Sequence, residues 1–239
     1  MKLQRKGTRQ SHRGVIGVES AIVMIAFVIV AAALAFVVLN MGFTTSQKAK
    51  TVTISSLEES TSAMNISGTI TAVGCIDATA GCNFVQRINA TTIPLKISRS
   101  GNSVNFSPDV VSISYIGKSV QYNNIYAGPI TADTFRKSVD AFRQAELETD
   151  SSFDAFNGAN PVNGTLPSET TAFLYWVKRA NTNQVLDLGE HAILAVAFAS
   201  NDRPEVLEKI SLEIIVSNGA TITMERRIPN ITSEVLDLG

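Results

Sequence analysis

The sequence is poor in the residues from which metal sites and many catalytic sites are built. Its 239 residues include two cysteines and two histidines, and 20 basic side chains nearly balance 21 acidic ones. So few Cys and His residues exclude a credible zinc site, and a net charge near zero argues against a nucleic-acid partner. The sequence contains no GxSxG, HExxH, Walker A or dinucleotide-binding glycine pattern. We therefore expect no enzymatic activity, no metal and no cofactor.

The cysteines and histidines do not form a chemical cluster in the sequence. His12 lies in a basic N-terminal segment, and His191 stands alone at the start of a predicted strand. Cys75 and Cys82 leave two interpretations open. In an exported protein they would close a small disulfide loop, and otherwise they are two unlinked thiols.

A long apolar run dominates the N-terminal part of the chain. From Ala21 to Leu39 every side chain is apolar, and no Pro or Gly interrupts the run. A helix of this length would span about 28 Å, close to the thickness of a bilayer core. Basic residues from Lys2 to Arg13 precede the run, and residues 1–14 contain no acidic side chain. This charge pattern predicts that the rest of the chain lies outside the cell.

Three interpretations of the apolar run compete. A secretory signal peptide would be cut after the run, where Ala33 and Ala35 form an A-x-A site, but its apolar region would typically be only about 7–15 residues long. A plain membrane anchor would not be cut. A prepilin-type leader would be cut before the run, so that the helix remains in the mature protein.

The residues just before the run favour the prepilin-type leader. In the segment HRGVIGVES, Arg13 and Gly14 are followed by Val15 and, close to the run, by Glu19. This segment resembles the processing site of type IV prepilins, in which a membrane peptidase cuts after Gly. Cleavage between Gly14 and Val15 would remove residues 1–14 as a leader.

Glu19 has a predicted role in setting the register between subunits. A carboxylate at the edge of an apolar helix is costly unless it is paired. Cleavage would create an α-amino cation at Val15, and this amine on one subunit is expected to pair with Glu19 of a neighbour. The alternative is that Glu19 faces water in the headgroup region.

The segment that follows resembles archaeal flagellins (archaellins), especially those of crenarchaea. The resemblance is carried by Asn40-Met41-Gly42 and Gln47-Lys48 after the apolar helix, and it is strong over about residues 13–50. It implies a subunit that polymerises with copies of itself into an extracellular archaellum filament for swimming motility. The implied filament core contains apolar side chains of the helix, namely Ile22, Ile25, Phe27, Ile29, Leu34, Phe36 and Leu39.

The resemblance also implies the partners and leaves alternatives. The precursor would be held in the cell membrane, cut by a prepilin-type signal peptidase, and assembled by an archaellum membrane platform and an ATPase. One alternative is a subunit of an adhesive archaeal type IV pilus. Another is a membrane-anchored ectodomain that never polymerises.

The predicted fold class is α+β. The absence of Pro and Gly from Thr44 to Ala63 extends the helix over about residues 16–63, within a helical domain of residues 15–64. Beyond it, period-two alternation predicts strands around residues 93–97, 111–115, 210–216 and 222–224, and more fully buried strands at 171–178 and 191–199. Asn218-Gly219 predicts a hairpin turn.

These strands predict an antiparallel sandwich in residues 65–239, and the resemblance implies that it is immunoglobulin-like. One segment does not fit strands, because Phe135, Val139 and Phe142 share one helical face. It predicts a short helix over about residues 132–147, followed by a loop over 148–168 that is a candidate for the outer filament surface.

The head also contains sequence motifs at which an exported protein could carry glycans. Five N-x-[ST] sequons occur, and export predicts glycosylation at several of them. They lie at Asn65, Asn89, Asn105, Asn163 and Asn230.

Overall fold

The structure is a computed structural model that describes residues 13–61, 64–74, 86–99, 101–148, 150–217 and 221–239. It divides the chain into two units, Met1–Ser55 and Ser56–Gly239. The first described element is helix α1, Arg13–Thr61, which is 49 residues long and therefore about 74 Å in length. The predicted long N-terminal helix is confirmed.

The polar second half of α1 stays helical although it is rich in Ser and Thr. The hydroxyls of Thr44, Thr51 and Thr53 donate to the carbonyl oxygens of Asn40, Gln47 and Ala49 at 2.8–3.0 Å. These bonds satisfy the hydroxyls within the helix, although sharing a carbonyl with the backbone ladder slightly destabilises the helix.

The regular elements in the described part of the head, Ser56–Gly239, are mostly strands. The strands are β1 (Met64–Ile66), β2 (Thr71–Gly74), β3 (Ile88–Ile97), β4 (Val104–Asn105), β5 (Val111–Ile116), β6 (Gln121–Tyr122), β7 (Tyr126–Thr134), β8 (Thr171–Lys178), β9 (Val185–Leu186), β10 (His191–Ala197), β11 (Lys209–Val216), β12 (Ile222–Arg227) and β13 (Val235–Asp237). Between β7 and β8 lie helix α2, Ser138–Leu147, and two 3₁₀ helices, Ser151–Phe156 and Pro161–Asn163.

The strands form one large and one small sheet, with a short two-stranded ribbon. The seven-stranded sheet has the order β13-β2-β3-β10-β8-β7, with β1 also paired to β3. The four-stranded sheet has the order β12-β11-β5-β6, and β4 pairs with β9. Asn218 and Gly219 lie outside the described residues. The flanking strands β11 and β12 pair antiparallel, as the predicted hairpin requires.

The prediction of a wholly antiparallel head is wrong at one strand pair. Strand β7 runs parallel to β8, with Tyr126 opposite Ala172 and Ile130 opposite Tyr175. Parallel neighbours need a crossover connection, and the segment that contains α2 supplies it. The head therefore has a mixed sheet beside an antiparallel one.

Both faces of the large sheet are buried at its centre. One face shares a single apolar cluster with the small sheet, including Leu95, Leu194 and Trp176 from the large sheet and Ile113 and Leu212 from the small one. The opposite face is covered by the crossover segment, whose aromatic side chains pack on Phe173 and Tyr175. This double coverage explains why β8 and β10 are apolar almost throughout.

The crossover helix is shorter than predicted. Residues 132–134 complete β7, so α2 begins only at Ser138. Phe142 of the predicted stripe is fully buried and meets Phe173 edge to face, with ring centroids 5.0 Å apart. The predicted loop over 148–168 contains the two 3₁₀ helices, and Phe153 and Phe156 of the first are buried in the same cluster.

Candidate functional site

Most of the large apolar side chains that are exposed in the described part of the chain lie on α1. The predicted filament-core side chains are between 59% and 74% exposed, and they are Ile22, Ile25, Phe27, Ile29, Leu34, Phe36 and Leu39. The segment Gly17–Ile54 is long and apolar enough to cross a membrane, and its most apolar part has no buried residue. A helix that is apolar on every side is stable only when lipid or other protein surrounds it. The helix therefore needs a membrane or neighbouring helices.

The predicted cleavage site lies at the start of this helix. Gly14 and Val15 are in the first turns of α1, and Glu19 is an exposed helical residue just before the apolar run. Glu19 has no ion-pair partner among the described residues of this single chain. The carboxylate of Glu19 is thus available to pair with a cation that a neighbouring chain or the processed terminus would supply.

The structure separates the five sequons into two classes. Four of the acceptor asparagines are exposed on the head, namely Asn65, Asn105, Asn163 and Asn230. Asn105 has a local hydrogen bond within its own sequon, because its Oδ1 accepts from the backbone N–H of Ser107 at 2.9 Å and from its hydroxyl at 2.8 Å.

Asn89 differs from the other four predicted glycan sites in its burial. It is only 2% exposed. Its Nδ2 donates to the carbonyl of Pro161 at 3.2 Å, and its Oδ1 accepts from the guanidinium of Arg203 at 3.2 Å. A glycan on this nitrogen has no room in the folded head. Sequence inspection missed this role, because an N-x-T triplet does not reveal burial.

Arg203 is a buried cation whose guanidinium donates a hydrogen bond to Asn89. The residue is 7% exposed, and burial, followed by the charge of Arg87, lowers the pKa of its guanidinium. Arg87 itself is paired with Glu205, and no described carboxylate forms an ion pair with Arg203. A buried charge needs hydrogen-bond acceptors to offset its lost hydration, and Asn89 supplies one of them.

The remaining predicted features add no reactive centre to the described residues. Cys75 and Cys82 lie outside them, so their pairing stays a prediction. Described His, Cys, Asp and Glu side chains nowhere form a group of three that could hold a metal. Trp176 and Tyr175 are buried in the core, as predicted.

Comparisons with known proteins agree with the long helix and the β-rich head. The archaeal-type flagellin family matches residues 14–226 of the chain. A probable flagellin of Aeropyrum pernix is 35% identical over 91% of this chain and 93% of its own length. The chain belongs to the archaeal-type flagellin family. It is a structural subunit of the extracellular archaellum filament, which serves motility, and not an enzyme.

Other relatives are consistent with this assignment. A flagellin of Saccharolobus shibatae is 30% identical over 52% of this chain and 39% of its own length. Two solved structures share the fold. The archaeal flagellum of Methanospirillum hungatei matches with a TM-score of 0.55 at 20% identity over 89% of this chain and 93% of its own. An archaeal flagellin of Methanocaldococcus jannaschii matches with a TM-score of 0.50 at 16% identity over 71% of this chain and 93% of its own.

Proposed function

We propose that this chain is made as a membrane-held precursor, is cut between Gly14 and Val15, and polymerises through the apolar half of α1. The observation that carries the proposal is the exposure of apolar side chains on every side of that helix. In the precursor lipid would cover them, and in the filament helices of neighbouring subunits would do so. Both surroundings are apolar, so the gain on assembly comes from close packing rather than from leaving water.

The proposed division of the chain follows from this cycle. Residues 1–14 are the leader, residues 15–64 form the filament core, and residues 65–239 form the outer head. A prepilin-type peptidase removes the leader, and an archaellum membrane platform with its ATPase adds the subunit to the filament base. We also propose that the head is an immunoglobulin-like sandwich, which the apolar cluster shared by its two sheets supports.

Glu19 is the proposed register residue. In an α-helix, residues four apart lie on the same face, so the new amine of Val15 and the carboxylate of Glu19 are one turn apart within one subunit. The same geometry lets the amine of one subunit meet Glu19 of the next when neighbouring helices are staggered. An ion pair among apolar helices strongly disfavours other staggers, because these would leave a charge unpaired.

The four exposed sequon asparagines are the proposed glycan sites of the head. Their positions outside the core leave space for a sugar, in contrast to Asn89. Glycopeptide mass spectrometry of purified filaments should find modification among Asn65, Asn105, Asn163 and Asn230. Modification at Asn89 in assembled filaments would contradict the proposed assignment.

The leader proposal is tested by sequencing the N-terminus of subunits from purified filaments. We expect Val15 as the first residue. A first residue of Met1 would indicate an uncut anchor, and Phe36 would indicate a secretory signal peptide cut after Ala35. Either result would reject the retained apolar helix.

The role of Glu19 is tested separately with Glu19→Gln, which removes the charge and keeps the shape of the side chain. We expect the precursor to be cut normally but to form few filaments in electron micrographs. Glu19→Asp, which keeps the charge, is the matched control and should assemble better. Normal assembly of the Gln variant would reject the ion pair while leaving the cleavage site untouched.

A further inference from the structure

The head has a basic surface at one end of its large sheet. A row of polar residues crosses four adjacent strands there, because Lys178 of β8 is opposite His191 of β10, and Lys96 of β3 is opposite Asn65 of β1. Ala192 is paired with Leu95, which makes His191 and Lys96 neighbours in the same row. Arg99 follows shortly after β3. We call Lys96, Arg99, Lys178 and His191 the basic end.

The basic end is unpartnered in the described part of the chain. Its Lys and Arg side chains are exposed and form none of the ion pairs found among the described residues. Lys96 and Lys178 flank β10 in the same row, and neither lysine has a counter-ion among the described residues. An anionic partner would supply one.

The carboxylates nearest to the basic end in the sequence are already engaged. Glu190 is 2% exposed, and its two oxygens accept from the backbone N–H groups of Ala180 at 2.7 Å and Asp187 at 3.0 Å. Asp187 accepts from the side-chain amide of Asn181 at 2.7 Å. The end of β7 adds Asp133, but Arg136 and Lys137 follow it. These hydrogen bonds do not cancel the charges of the two carboxylates, but the three cations Lys96, Arg99 and Lys178 outnumber them, so the local charge is positive.

The basic end also has the shape of a docking surface. Lys96, Arg99 and His191 line an open groove of about 410 Å³, together with Asn65 and the buried Glu190. Leu188, which is 59% exposed, lies at the same groove and offers an apolar contact beside the charges. A surface with an apolar residue among unpaired cations suits an acidic protein surface.

The opposite end of the large sheet carries such an acidic surface. The backbone N–H of Ser168 donates to the carbonyl of Ala155 at 3.1 Å, which brings the exposed carboxylates of Asp154 and Glu169 to the end of the sheet where β8 begins. Asp202 is held at the same end, because its carboxylate accepts from the hydroxyl of Thr170 at 2.7 Å. We call Asp154, Glu169 and Asp202 the acidic end.

Few cations offset the acidic end. Arg87 is paired with Glu205, and Arg203 is buried with Asn89. The two ends are separated by the length of β10, His191–Ala197, which is about 20 Å. Side chains at that separation cannot pair within one head.

We propose that the basic end of one head binds the acidic end of the head of a second copy of this chain. The inference rests on the proposed polymerisation and names the contact that would join outer heads. A contact between two different surfaces of identical subunits does not close on itself unless the rotation makes a ring, so it suits an open helical polymer. Opposite charges also fix the polarity, because two basic or two acidic ends repel.

The contact is tested in purified wild-type filaments with a carbodiimide, which joins an amine directly to a carboxylate. Mass spectrometry should detect Lys96 or Lys178 coupled to Asp154 or Glu169. Such a product must join two subunits, because the ends of one head are too far apart. Coupling of these lysines only to other carboxylates, or no coupling of reactive lysines, would overturn the proposal in favour of another occupant or of solvent.

Lys96→Arg is the matched control. It keeps the positive charge but removes the primary amine, so filaments should form normally while the Lys96 product disappears. This result would assign the crosslink to the side chain rather than to a neighbouring lysine.

Charge reversal gives a second, independent test. Lys96→Glu with Arg99→Glu, or Asp154→Lys with Glu169→Lys, should each cause loss of filaments or dissociation at lower salt. Combining the four changes should restore them. Arg227→Glu, an exposed charge of β12 outside both ends, should leave assembly unchanged.

The outcomes separate this proposal from the function it rests on. If the wild-type chain forms no filaments, the polymerisation itself is rejected. If wild-type filaments form but both reversals assemble normally, or the four-fold change fails to restore assembly lost in each pair, only the contact between heads is rejected.

Discussion

Replacing Asn89 by Leu tests whether this sequon asparagine is structural. Asn89→Leu keeps the branched shape of the side chain but removes the hydrogen bonds of the amide, among them one to the carbonyl of Pro161 and one from the guanidinium of Arg203. A hydrogen bond to a charged group contributes roughly 1.5–3 kcal/mol, and a neutral one roughly 0.5–1.5 kcal/mol. We therefore expect the free energy of unfolding to fall by about 2–4.5 kcal/mol.

This loss should appear as a large shift in thermal stability. For a domain of 150–250 residues, 1 kcal/mol corresponds to about 2–4 °C in the midpoint of unfolding. The head, Ser56–Gly239, should therefore unfold roughly 4–18 °C lower in the variant. Circular dichroism of the truncated head, residues 56–239, measures this shift without contributions from the filament.

Thr91→Val is the matched control, because it destroys the same N-x-T triplet without touching Asn89. Thr91 is fully buried, and its hydroxyl has no hydrogen-bond partner in the described part of the chain. Its replacement by an apolar side chain of the same shape should be neutral or slightly stabilising. Equal losses in both variants, or a loss below about 1 kcal/mol in Asn89→Leu, would refute the structural role of Asn89.

Two further predictions concern the core of the head. Phe142→Ala removes the fully buried ring that packs on Phe173. It should lower the free energy of unfolding by about 3–5 kcal/mol in urea titrations. An equal loss in Leu147→Ala, whose side chain is 65% exposed, would contradict this reasoning. Burial raises the pKa of the hydroxyls of Tyr115 and Tyr175, so the folded head holds these protons more tightly than the unfolded chain. The stabilisation that these two hydroxyls contribute should be fully present below the ordinary tyrosine pKa of about 10 and should fall above it. Urea midpoints measured on both sides of that pH would check this. A midpoint that increases above pH 10 would contradict the assignment.

The features that sequence inspection predicted well are those that local patterns specify. Helix α1 follows from an unbroken apolar run and from the lack of Pro and Gly beyond it, and both signals act over a few turns. The strands β5, β11 and β12 follow from alternation with one buried face. The burial of residues 171–176 was also indicated by the continuous apolar residues of β8.

The features that inspection missed depend on contacts between distant segments. The parallel pairing of β7 with β8 requires a crossover through α2, and a strand's own sequence does not state the direction of its neighbour. Asn89 reads as a surface sequon, but Arg203 and Pro161 come from far along the chain to bury it. A triplet motif contains no information about such partners.

By itself, the sequence determined that this protein has a bilayer-length apolar helix behind a basic leader-like segment, a β-rich head, and the family likeness at Asn40–Lys48. Only the tertiary structure decided which sequon asparagines face solvent, which face of the large sheet the crossover covers, and that basic and acidic residues collect at opposite ends of that sheet. The physical reason is range: hydrophobic periodicity is read along a few neighbouring residues, whereas burial and charge separation arise when strands from across the chain are brought side by side.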